Sequence, residues 1–146
     1  MKRLSVVLIV VVVLSVLLTA CGGGGGGAGP AVAAKSFFDA FSQLDFAKMK
    51  DLTCDAQKSS IDQATQAMSA LGDATALKDL IKIDTSGLKY EEKSVSGDKA
   101  SVVVSGKMKM EAFGQAQDQD VNNEELPMVK EGGAWKVCAA GGLPIQ

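Results

Sequence analysis

Side chains able to do chemistry are few in this sequence. Its 146 residues include no histidine, which removes the commonest general base near neutral pH and the commonest metal ligand. The single tyrosine, Tyr90, is followed by Glu91 and Glu92. A phenol beside two carboxylates is acid–base material, but the segment is hydrophilic and reads as solvent-facing. Asp118, Asp120 and Asn122 alternate as in the first half of a calcium loop. The pattern then fails, because Asn123 stands where the turn glycine belongs and Val129 where the bidentate glutamate belongs. That stretch reads as a solvated strand face or a loop. Met108, Met110 and Met128 offer thioethers to a soft metal, yet methionine more often fills irregular core space. No cofactor and no metal are expected.

Charge and composition narrow the partners. Without Lys2 and Arg3 the chain carries 13 basic against 17 acidic residues, a formal charge of −4. A mildly acidic protein has no electrostatic reason to seek nucleic acid. Gly22 to Gly29 is almost pure glycine and ends at Pro30. A phosphate-cradling loop needs a strand before such a run and Gly-Lys-Ser/Thr after it, and neither is present. The run reads as a flexible linker over residues 21–30.

The elements that must position any site come next. Ala31 to Leu44 is predicted to be a helix, with Ala34, Phe37, Phe38, Phe41 and Leu44 on one face. Asp45 is placed to cap a second helix, Phe46 to Leu52, which turns Phe46, Met49 and Leu52 inward. A third helix is expected from Asp55 to Leu71, with a thin stripe of Ile61, Ala64, Met68 and Leu71, and with Gly72 as its stop. Asp73 to Leu80 adds a further turn or two. Beyond Ile81 the texture changes. Leu88 to Val95 is short and mixed, and Ser96-Gly97-Asp98-Lys99 is turn chemistry. Ala100 to Phe113 alternates, with Val102, Val104, Gly106, Met108 and Met110 on one face and a wetter set opposite. Gln115 to Glu125 reads as a loop or a solvated strand. Leu126 to Lys130 is strand-like, although Pro127 points to an edge or a bulge. Ala134 to Ala139 is the last strand, and 141–146 is a tail. Helices first and an antiparallel meander after make an α+β domain over residues 31–140.

The N-terminus carries the address. Lys2 and Arg3 precede an apolar run from Val6 to Leu18, which closes on Leu18-Thr19-Ala20-Cys21. Charged, apolar and small-residue segments in that order make a signal peptide over residues 1–20. An uncleaved anchor helix is the alternative. The closing residues resemble the bacterial lipobox. That resemblance implies lipidation of Cys21, multiple acyl chains and permanent anchoring to a membrane outside the cytoplasm. With Cys21 lipidated, Cys54 and Cys138 remain as an even pair in an oxidising compartment, and one disulfide is expected. Closing a loop of about 85 residues stabilises by roughly 4 kcal/mol in the chain-entropy model. Two buried free thiols are the other reading.

Two segments carry a wider resemblance. One is Val32 through Phe37, Phe38, Phe41, Leu44, Asp45, Phe46 and Met49 to Leu52; the other is Glu131-Gly132-Gly133-Ala134-Trp135-Lys136-Val137-Cys138. Together they resemble the nuclear transport factor 2-like, cystatin-like superfamily, and more narrowly its small domains in bacterial lipoproteins. The resemblance implies a curved sheet wrapped around a long helix and a conical cavity, with Phe37, Phe41, Met68 and Trp135 as candidate lining. The phenylalanine stripe and Trp135 read first as core, with part of that set lining a cavity. The function expected is a non-catalytic, lipid-anchored binding or structural module. Its partner is a small apolar ligand or an envelope protein, with dimerisation open. An interaction domain with a filled core is one alternative. A ketosteroid isomerase-like or dehydratase-like enzyme is the other, and no tyrosine or acid of this chain matches that family's catalytic positions.

Overall fold

The structure, a computed structural model, describes residues 28–72 and 74–139. The segment expected to be a signal peptide, 1–20, with Cys21, most of the glycine run and the tail at 141–146, lies outside the described residues. The first helix, α1, spans Pro30–Ser42. Pro30 suits the first turn because its fixed φ is helical and its missing N–H would have had no intrahelical partner. Ala34, Phe37 and Phe38 are buried along the expected face, joined by Ala33 and Ala40. The helix ends short of the expected Leu44. Leu44 itself takes φ 52°, its N–H donates to Phe41 O (2.9 Å), and Asp45 N–H reaches back to Ala40 O (2.9 Å). This pair of bonds is a Schellman closure, in which the left-handed position usually held by glycine is held by leucine.

Asp45 caps α2, Phe46–Asp51, by accepting from Lys48 N–H at 3.0 Å. The chain then runs through Thr53 and Cys54 into a 3-10 turn, Asp55–Gln57, and α3, Lys58–Leu71. Gly72 ends α3 at φ 146°. The turn or two expected after it is a short helix, α4, Ala74–Leu80.

The sheet has five strands: β1 Ile81–Asp84, β2 Leu88–Ser96, β3 Lys99–Ala112, β4 Gln115–Glu131 and β5 Ala134–Val137. β1 and β2 both pair with β3, one after the other along the same edge, β4 flanks its other edge, and β5 pairs with the end of β4. The four pairings among these strands are antiparallel. The open reading of Gln115 to Glu125 resolves to strand: Asp118 faces Lys109 and Asp120 faces Lys107 across the ladder, pairs that favour association. Pro127 lies one residue beyond the β4–β5 ladder. Its carbonyl accepts from Cys138 N–H at 2.8 Å, so proline withholds a single bond at the ladder's end. The bulge of this strand is at Asn122–Asn123 instead, where β4 advances further than β3 and Asn123 takes φ 52°.

The sheet curls, and α1 packs against its concave face. Val102, Val104, Met108, Leu126, Met128, Trp135 and Val137 form the sheet side of one core with α1 and Met49 of α2. Met108 and Met128 are thus core side chains, each about 1% exposed. Cys54 and Cys138 are bonded, with sulfurs 2.04 Å apart. Beside them Cys54 N–H donates to Val137 O (2.9 Å) and Val137 N–H to Leu52 O (2.8 Å). The end of β5 is thereby stitched to the segment between α2 and α3. The core, the ladders and the disulfide described above all lie within 28–139, so a stretch that begins at residue 28 contains every one of them.

Candidate apolar binding site

Helix α3 packs differently from α1. None of its described side chains is buried, as its thin apolar stripe implies, and it is held to α2 by an ion pair, Lys50 Nζ to Asp62 Oδ1 at 2.6 Å. Between α3 and the rest of the molecule lies a cavity of about 170 Å³. Phe37 and Phe41 of α1 wall one side, Phe46 and Met49 of α2 another, and Ile61 and Ala64 of α3 stand on its outer side. Leu126 and Val137 bring the sheet to the same space. Phe37 is held edge-on against Phe38, with ring centroids 5.9 Å apart at 85°, an arrangement that locks aromatic rings by their quadrupoles.

No charged side chain lines the cavity. Its polar groups are Thr53, Gln57 and Ser60. The Thr53 hydroxyl is committed, donating to Met49 O at 2.7 Å. The Ser60 hydroxyl reaches Gln57 Oε1 only at 3.5 Å, at the outer limit of a hydrogen bond. Gln57 and Ser60, both partly exposed, are therefore free to turn toward a guest.

The candidate residues separate. Phe37 and Phe41 line this cavity; Met68 lines a smaller hollow of about 60 Å³ with Leu44, Phe46 and Leu77. Trp135 is in the core on β5, with the Lys130 ammonium 5.9 Å from its ring centroid. The floor residues Leu126 and Val137 carried no sequence signal beyond their place in strands, since nothing local says which strand an incomplete helical layer leaves uncovered. The half calcium loop is ordinary ladder, and Asp120 approaches Lys107 Nζ at 3.4 Å. Among the described residues no three acidic or cysteine side chains gather as metal ligands would. None of the described helices is long and apolar enough to cross a membrane.

Tyr90 corrects the surface reading of its segment. Its ring packs 5.6 Å from that of Phe38, and its hydroxyl is buried with no hydrogen-bond partner. Burial first, and the nearby Asp39 carboxylate second, push its ionisation well above the ordinary value of 10.0. Glu91 and Glu92 are exposed, and Glu92 Oε1 accepts from Ala31 N–H at 3.4 Å. Because the folded state favours the neutral phenol, Tyr90 supports the fold fully below its unfolded pKa, and that support is lost as pH rises above it. Alkaline titration is expected to show no tyrosinate absorbance until the protein unfolds. Since this is the only tyrosine, a reversible rise near the ordinary value would place the ring in solvent instead.

No known protein family matches this chain. No curated protein matches it either.

Proposed function

We propose that this protein is a lipid-anchored, extracytoplasmic binding module of the cystatin-like cone class, holding a small apolar ligand under α3 and performing no catalysis. The observation that carries the reading is the cavity at the helix–sheet junction, walled by Phe37, Phe41, Phe46 and Met49. Ligand sites are concave, mostly apolar spaces with a few polar groups that fix orientation, and this one fits that description. The non-catalytic part rests on the lining: it offers no acid, base or nucleophilic thiol, and proton transfer needs a titratable group within hydrogen-bond reach. The anchor rests on Lys2, Arg3, the apolar run and Cys21, and the enclosing compartment is in keeping with the Cys54–Cys138 bond.

Mass spectrometry tests both halves. The membrane-extracted protein is expected to lack residues 1–20 and to carry lipid on Cys21; an unmodified, full-length mass would remove the anchor. The stretch 28–146, produced in an oxidising compartment and sprayed under native conditions, is expected to carry a small molecule that leaves on denaturation. A bare polypeptide that also gains no mass from added single-ring hydrocarbons would remove the binding role.

A further inference from the structure

Resting on that binding role, we propose that the cavity selects uncharged ligands. The ligand's apolar part is about one aromatic ring in size and carries at most one hydroxyl or carbonyl; the same ring bearing a charge is rejected. Size comes from the volume. The space measures about 170 Å³, and an apolar cavity of about 150 Å³ lined by Leu, Ile and Phe takes one benzene. A steroid or a long acyl chain would extend out of it. Shape agrees, since the facing walls are aromatic side chains from two helices, Phe37 and Phe41 on α1 and Phe46 on α2.

Charge selection comes from the lining. A charged head brought into this space would lose water and meet no counter-charge in the lining. Lys50 and Asp62, the ion pair that joins the flanking helices, are occupied with each other at 2.6 and 2.8 Å. A neutral hydroxyl or carbonyl, by contrast, finds Gln57, which can donate or accept, and Ser60, whose present bond is long. Thr53 is not available for this role, because its hydroxyl already serves Met49 O.

The test uses four ligands that share one ring: toluene, benzyl alcohol, benzylammonium and benzoate. Each is titrated into the stretch 28–146 at neutral pH, and the methyl resonances of Met49, Ile61, Ala64 and Ala139 are followed. Toluene and benzyl alcohol are expected to shift them saturably, with both ions weaker by about tenfold or more, the factor that ~1.4 kcal/mol of uncompensated desolvation produces. Gln57→Leu combined with Ser60→Ala is expected to weaken benzyl alcohol severalfold relative to toluene. If the ions bind as tightly as the neutral ligands, charge selection is wrong and the binding role stands. If no ligand moves these methyls, both are wrong. Equal loss of toluene and benzyl alcohol in the double variant would overturn the polar assignment.

Discussion

Converting both Cys54 and Cys138 to alanine is expected to lower the melting temperature by roughly 15–20 °C. The bond closes a loop with a sequence separation of 84 residues. Freeing that loop in the unfolded chain costs the native state roughly 4 kcal/mol. For a domain of about 100 residues each kcal/mol moves the midpoint by about 4–8 °C, and the lower end applies to one slightly larger. Cys54 is fully buried, so alanine also leaves space behind, which adds to the loss. The native contacts around the bond do not depend on it alone. The Cys54–Val137 and Val137–Leu52 hydrogen bonds and the donation from Lys136 Nζ to Asp51 O hold the same segment. Below its lowered midpoint the variant should therefore keep its fold and its cavity. Scanning calorimetry of the stretch 28–146, with and without reductant, decides the matter. A midpoint that moves by less than a few degrees in the variant and on reduction would mean that the loop is already constrained in the unfolded chain.

How far the sequence could be read follows from which signals are local. The α1 face, the Asp45 cap and the alternation of β3 rest on neighbours three, four or two residues apart, and all are found as expected. Leu44 fits the helical stripe by spacing alone. Its left-handed φ is imposed by the following helix start, which needs Asp45 positioned to cap. The strand character of Gln115 to Glu125 was in principle readable. Lys107 and Lys109 match Asp120 and Asp118 across the Phe113-Gly114 turn, a pairing visible only once a hairpin is assumed. Tyr90 misled because Glu91 and Glu92 follow it, whereas in a strand the residue beside a solvated one points the other way. The residue pattern by itself does not show the cavity; only the resemblance to the cystatin-like superfamily implies one, with Phe37 and Phe41 in its lining. Phe37 and Phe41 have the same pattern whether they meet a full core or a gap, and the gap exists because α3 has too thin an apolar face to fill it.

Gly106→Ala is expected to destabilise the protein by roughly 3–5 kcal/mol, with two independent causes. Gly106 has φ 118°, outside what a residue with a Cβ adopts without strain of order 1–3 kcal/mol. A Cβ there would also lie 2.2 Å from Gly87 O and 3.3 Å from Leu88 Cα. Both are backbone atoms, so no side chain can turn aside, and overpacking of this kind costs about 1–3 kcal/mol more. Gly87 answers from the other side, since its own Cβ would meet Lys107 O at 2.5 Å. The two glycines let the break between β1 and β2 close onto β3, opposite the Asn122–Asn123 bulge, where the sheet bends. Gly97→Ala supplies the comparison: it has positive φ (60°) but nothing within 4 Å of a Cβ, so only about 1 kcal/mol of strain is expected. Urea unfolding of the two variants separates the causes. Equal midpoints would show that the β2–β3 approach is slack. A Gly106→Ala midpoint well below that of Gly97→Ala, at an unchanged slope, would show that the curl depends on two backbones meeting without side chains between them.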